Sequence, residues 1–415
     1  MNLSLSPWKI VLVSTISFCV LIALTGSISV SVANKDRIVM GVQSMGFQIS
    51  GMKKKDAQQF FEKNGASRIS NMPIVLEYEG KSWTITPEDI HLAANTESAV
   101  NEAYAIGRGG NMLQNLLEQM RLAIAGRNVQ LTADYDRQLL LGKLQEVANA
   151  INTPPVNAAM DFQADGSLKR IPGIVGKKLD IEPIAEALEP QLTALQRPKA
   201  ILLEPSETQP AITDADLANI DSVLGSYTTH FAYGNRGDNI VIAASHLDDV
   251  LIRSGAVFSF NGTVGQRTMS AGYKSAPVIV NGSTEQGIGG GVCQVSSTLY
   301  NAVLLSGLTP TVRTPHYFPS SYCPPGLDAT VADDLLDFQF KNQLPHNVYL
   351  LTRTYGAALT IYVLGTKKDL EGNTITLERE GSAMRPTVYR VYSRNGQIIE
   401  REYMHTDSYY SPRED

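Results

Sequence analysis

The residues best suited to chemistry lie in one stretch, Gly287-Ile288-Gly289-Gly290-Gly291-Val292-Cys293-Gln294-Val295-Ser296-Ser297-Thr298-Leu299-Tyr300-Asn301. Val295, Leu299 and Ala302 recur at helical spacing, so a helix starts near Cys293 and buries that face. A helix start carries unpaired N–H groups and about half a positive charge, which lowers the pKa of a thiol placed there. The glycines before it allow close backbone approach. Gly290, Gly291 and Gln294, with Ser296 and Ser297 beyond them, form a candidate oxyanion or substrate-binding set. A nucleophilic cysteine also needs a base and a group that orients the base. His316 follows in Thr314-Pro315-His316-Tyr317, and Asp328 in Gly326-Leu327-Asp328-Ala329-Thr330. The candidate catalytic set is therefore Cys293, His316 and Asp328.

Each of these residues has a plainer reading that stays open at this level. Cys293 fits a small buried side chain. It also fits a disulfide with Cys323, closing a loop of about 30 residues worth about 3–4 kcal/mol in an oxidising compartment. His316 fits a turn after Pro315, and Asp328 an Asx turn after Gly326. The glycine run could nest an anion, but no Gly-Lys-Ser/Thr follows it, which argues against a nucleotide P-loop. The remaining histidines (His91, His230, His246, His346, His405) show no metal-ligand spacing, so neither metal nor cofactor is expected.

The elements that must position these groups follow from length and pattern. At 415 residues the chain suggests two or three domains. Lys and Arg number 35 against 41 Asp and Glu, a net charge of −6 with no basic block, which disfavours nucleic acid as a partner. Hydrophobic residues at 43% and charged residues at 18% suit a packed core rather than disorder. Three cysteines are too few for a disulfide framework.

Ile10 to Ala33 carries no charge and is long enough to span a bilayer as a helix. It reads as an uncleaved signal-anchor, with residues 1–36 a cytoplasmic stub and transmembrane helix tying the chain to the cytoplasmic membrane. Everything beyond then lies outside the cytoplasm in a single-pass cell-membrane protein. Cleavage after Ser31-Val32-Ala33 is the alternative and gives a secreted protein.

Beyond the anchor, helix, hairpin and helix signals occur twice. The first set holds Ile74–Tyr78, a Glu79-Gly80 turn and Ser82–Ile85, and the second Ala158–Phe162, an Asp165-Gly166 turn and Leu168–Ile171. They predict two small α+β modules, 37–130 and 131–209. Met112, Leu113, Leu116, Leu117, Met120 and Ile124 share one helical face, read as packing surface. Pro205 to Pro210 reads as a linker. Residues 210–370 then form an α+β domain whose cysteine-bearing helix packs on a sheet, with a helix expected over 240–252. Residues 371–415 form a β-hairpin tail around Asn395-Gly396.

Residues 226–365 closely resemble the VanW family, a cell-envelope group named from a glycopeptide-resistance gene cluster. The resemblance rests on Phe258-Ser259-Phe260-Asn261, Val264-Gly265-Gln266-Arg267-Thr268, Ala271-Gly272-Tyr273-Lys274, the Gly289–Leu304 stretch, His316, Tyr322, Pro324 and Gly326-Leu327-Asp328-Ala329-Thr330-Val331. Cys323 departs from the family pattern. The modules before it resemble the peptidoglycan-binding repeats that often precede a VanW domain. This likeness implies a cell-wall binding or accessory protein, with peptidoglycan or its stem peptides as partner. The order of cysteine helix, His and Asp-Ala-Thr is also similar to transglutaminase-like hydrolases, with a shorter Cys–His spacing. That analogy implies an alternative: a Cys293–His316–Asp328 acyl transferase or amidase acting on stem peptides.

Overall fold

The computed structural model describes residues 34–280 and 283–411, together with residues 8, 11, 12, 14, 15 and 17. The chain forms two compact units, Met1–Pro154 with Gly176–Thr208, and Pro155–Val175 with Gln209–Asp415. Both mix helices with small sheets, in keeping with an α+β class.

The expected transmembrane helix and single-pass membrane location are corrected by the structure. Among the described residues no helix is long and apolar enough to cross a membrane. The longest, Lys54–Ile69, has 16 residues, about 24 Å of rise against about 30 Å of hydrocarbon. It also carries Lys54, Lys55, Asp56, Glu62, Lys63 and Arg68. Most of the run from Ile10 to Ala33, including the cleavage alternative, lies outside the described residues.

In the first unit the helices Lys54–Ile69, Thr96–Ala105, Arg137–Ile151 and Glu182–Thr193 bury Phe61, Val100, Leu140 and Leu188 with Leu76 of the hairpin. That hairpin pairs Ile74–Tyr78 with Lys81–Ile85. Glu79 and Gly80 turn it with φ of 45° and 79°, the left-handed pair that a two-residue hairpin loop requires. Asp136 caps Arg137–Ile151 by accepting from the N–H groups of Gln138 and Leu139. The Pro205–Pro210 stretch is more than a linker, because Ser206–Thr208 pairs antiparallel with Gly176–Lys178. The apolar face of helix Met112–Ala125 is not packing surface among the described residues: Met112, Leu113, Leu117, Met120 and Ile124 are exposed, and only Leu122 is buried. Leu122 alone meets the core, while an Asn111/Gln114 capping box holds the helix start without further burial.

The second unit is built on a four-stranded antiparallel sheet in the order Ser222–His230, Ala358–Gly365, Val348–Tyr355, Val250–Ile252. Both faces are covered, and strand alternation assigns the sides. Val348, Leu350, Leu359, Ile361 and Val363 face the core around helix Val292–Leu305. Tyr349, Leu351 and Leu364 face Ala158, Met160, Ile212 and Leu217. The hairpin Ala159–Phe162/Leu168–Ile171, read from sequence as part of the second module, thus supplies core to this unit. The helix expected over 240–252 runs instead from Asn235 to Ser245. Asp249 turns the chain with φ 58°, and Val250–Ile252 pairs with Val348–Leu350, so sheet pairing overrides the helical pattern.

A second sheet orders Val257–Ser259, Gln339–Lys341 and Thr309–Val312. The tail is a three-stranded meander, Thr374–Ser382, Arg385–Arg394 and Gln397–Thr406, one strand more than the expected hairpin. Asn395 and Gly396, at φ 51° and 80°, make its second turn.

Candidate active site

Helix Val292–Leu305 starts where two glycines let the backbone fit. Gly291 adopts φ 112°, and a Cβ there would lie 2.8 Å from the Arg236 carbonyl oxygen. A Cβ on Gly290 would lie 2.5 Å from that of Pro277. Only glycine seats the helix end against both segments. Cys293 is the second helical residue and keeps part of its surface open to solvent.

His316 and Asp328 come from the irregular segment between Thr309–Val312 and Gln339–Lys341. The helix itself fixes that segment. Ser296 Oγ donates to the Ala329 carbonyl at 2.6 Å, and Ser297 Oγ accepts from the Ala329 N–H at 2.9 Å. Asn301 Nδ2 donates to the Leu327 carbonyl at 2.7 Å. Cys293, Ser297 and Asn301 recur every four residues, so the face that carries the thiol also registers the aspartate loop.

The three predicted catalytic residues are brought together. Asp328 Oδ2 accepts from His316 Nδ1 and from the His316 backbone N–H, both at 2.6 Å. His316 also hydrogen-bonds the Cys293 thiol. Cys293 Sγ lies 3.3 Å from the Val331 carbonyl oxygen.

Electrostatics follow from this chain. Burial would raise the Cys293 pKa, but the hydrogen bond and charge of His316 outweigh it and the thiol is lowered. Burial would lower His316, but its bonds to Asp328 and Cys293 raise it to about 9. Burial would raise Asp328, but His316 and the Arg313 guanidinium hold it at about 2. Both shifts favour the thiolate–imidazolium form of the pair over what the free groups would show.

The disulfide reading does not hold, since Cys293 and Cys323 are both free thiols. Cys323 is buried, pushed up to about 12 by that burial, and bonded to Ser320 Oγ at 3.2 Å. The expected oxyanion and substrate set is divided. Gly290 and Gly291 shape the helix start, and Ser296 and Ser297 pin the loop rather than face a ligand. Gln294 is buried, its amide donating to Thr229 Oγ1 at 3.0 Å and to the His230 carbonyl at 2.9 Å.

Four residues escaped the sequence reading of the site. Tyr322 places its hydroxyl 3.3 Å from His316 Nε2. Burial and the nearby Cys293 charge push its pKa well above the usual value, so it stays a neutral donor. Arg313 bonds Asp328 Oδ1 at 3.2 Å and Asp407 Oδ1 at 2.6 Å, with all three side chains buried. The Tyr409 hydroxyl donates to Asp328 Oδ1 and accepts from the Gly326 N–H at 2.8 Å. Arg313, three residues before His316, was a charge that its neighbourhood could have flagged. Asp407 and Tyr409 carry no local signal.

Comparison with known proteins gives two family matches; Cys293, Arg313, His316, Tyr322 and Asp328 fall within the first, and Asp407 and Tyr409 lie beyond both. Residues 235–364 match the family described as "VanW like protein", and residues 83–199 match "Putative peptidoglycan binding domain". The chain is 37% identical over 221 residues to "Uncharacterized protein YoaR" of Bacillus subtilis, covering 52% of this chain and 71% of that protein. It is 32% identical over 134 residues to "Vancomycin B-type resistance protein VanW" of Enterococcus faecalis, covering 30% of this chain and 49% of that protein. No solved structure matches the chain.

Proposed function

The chain belongs to the VanW-like family and is a cell-wall-associated protein, and on that premise we propose that it is a thiol-dependent acyl transferase or amidase acting on peptidoglycan stem peptides. The observation that carries this reading is the continuous chain from the Cys293 thiol through His316 to Asp328. A module that only binds has no use for a lowered thiol against a raised imidazole. The match to the peptidoglycan-binding family supports peptidoglycan as the partner, with the first unit holding the second on its substrate.

The chemistry uses groups already described. Cys293 Sγ attacks an amide carbonyl carbon as thiolate. His316 Nε2 passes its proton to the leaving amine as the C–N bond breaks, and the acyl group stays on sulfur as a thioester. Water or a second amine then attacks the thioester, losing its proton to His316, and the thiolate leaves. Asp328 stays ionised and holds the imidazolium. The Tyr322 hydroxyl, which neighbours His316, and the main-chain amide of Cys293 at the helix start would donate to the tetrahedral oxygen.

The test is chemical. Alkylation of the full chain by iodoacetamide across pH 5–9 is expected to titrate well below the free-thiol value of about 8.5. In His316→Ala the midpoint should return to about that value or higher, with the rate at pH 6 falling more than about tenfold. Incubation with stem peptides should yield a thioester on Cys293 by mass spectrometry. A thiol that titrates normally in the intact protein would falsify the proposal.

A further inference from the structure

We propose that Arg236 is a carboxylate-recognition residue, binding the free C-terminal carboxylate of the peptide that Cys293 attacks. The inference rests on the reading of Cys293 as nucleophile and narrows its substrate to peptides whose leaving residue is the last one.

Three observations place Arg236 at the mouth of the site. It lies in the first turn of helix Asn235–Ser245. Its carbonyl oxygen and Cγ lie 2.8 and 3.0 Å from where a Cβ on Gly291 would stand, two residues before the thiol. Its guanidinium carbon is 5.8 Å from the ring centroid of Tyr322, whose hydroxyl meets His316 Nε2. The backbone and stem of Arg236 thus lie against the helix start, and its cation lies over the histidine's aromatic neighbour.

Among the described residues the charge on Arg236 is not spent in an ion pair. The other arginines of the site are committed, Arg313 to Asp328 and Asp407, and Arg267 to Asp333 and Asn261. Half-buried Arg236 makes no ion pair and donates no hydrogen bond among the described residues. A planar fork of donors pairs with a carboxylate in bidentate fashion, and partial burial strengthens the pair. When the C–N bond breaks, the departing group is then an amino acid whose carboxylate stays on Arg236 while its amine takes the proton from His316. The acyl chain remains on sulfur.

The experiment needs no peptide. Iodoacetate and iodoacetamide alkylate the same thiolate by the same displacement, expelling iodide, and differ by one carboxylate. The ratio of their rates on the full chain reports a carboxylate subsite, and damage to the triad divides out. Arg236→Gln is expected to lower the iodoacetate-to-iodoacetamide ratio about tenfold. Arg236→Lys, a point charge without the fork, should fall between Gln and wild type. Excess acetate should slow iodoacetate more than iodoacetamide in the wild type and equally in Arg236→Gln. A ratio in Arg236→Gln equal to that of the wild type overturns the inference and leaves the nucleophile reading intact. A wild-type thiol with an ordinary iodoacetamide pH profile overturns both.

Discussion

Both units carry exposed ion pairs, Lys274–Asp238 in the second among them, but among the described residues only the second unit buries a network of them. In the first unit the ion pairs stand in solvent: Arg137–Glu182 at 2.7 Å has both side chains more than 40% exposed, and Lys177–Glu79 at 2.9 Å is similar. In the second, Arg313, Asp328 and Asp407 are almost entirely excluded from water and are bonded to one another, to Tyr409 and to His316. Exposed pairs contribute little and leave a surface free to adapt. Buried networks impose heavy penalties when broken and fix geometry. The buried arrangement suits holding His316 and Asp328 in one geometry.

The contrast can be broken at its strong end first. Arg313→Ala removes the shared partner of two buried carboxylates and is expected to destabilise the second unit by about 3–5 kcal/mol, read by urea denaturation. Tyr409→Phe keeps the ring but leaves Asp328 one donor short and the Gly326 N–H without its acceptor. A loss of about 1–3 kcal/mol should accompany it, and the acid limb of Cys293 alkylation should move to higher pH. An unmoved pH profile would reduce Tyr409 to packing. At the weak end, Arg137→Ala should change stability by less than about 1 kcal/mol. If it costs as much as Arg313→Ala, the comparison between the units collapses.

The pH dependence of stability sharpens the same point. Asp328, lowered from 3.8 to about 2, contributes stability that is present above 3.8 and lost as pH falls through about 2. His316, raised from 6.5 to about 9, contributes stability that is present below 6.5 and lost as pH rises through about 9. Cys293 acts in the opposite sense, because its proton leaves earlier in the folded chain than in the unfolded one. The two slopes oppose each other, so wild-type Tm should fall less steeply with rising pH than that of a chain without the thiol. Cys293→Ala removes the opposing slope and the Cys293 part of the His316 shift but keeps the part due to Asp328, so its Tm should fall with rising pH above 6.5. A parallel curve for the variant would show that the thiol and imidazole do not share a proton.

The chemistry of the site was legible in the sequence wherever it depended on residue type within one local element. A cysteine at a helix start after glycines, then a histidine and an aspartate, already named the order of the groups. The hairpin turns were equally readable, because Glu79-Gly80 and Asn395-Gly396 encode a backbone twist in two residues. The supports were not readable. Ser296 and Ser297 looked like ligand-facing hydroxyls, and only the position of Ala329 shows that they hold the loop. Tyr409 meets Asp328 across 81 positions of chain, a pairing that no periodicity marks. The helical pattern over 240–252 failed where a partner strand was waiting for Val250–Ile252. The uncharged run before Ala33 suggested a span, yet among the described residues no helix has the length and apolarity to make one.

The bond from Tyr409 to Asp328 also has a consequence in time. During synthesis the cysteine helix emerges well before residues 407–409, and domains fold as their chain becomes available. Until the meander closes, Asp328 lacks Tyr409 and Arg313 lacks Asp407. The buried polar network behind His316 is therefore completed last, when the rest of its unit has already been synthesised.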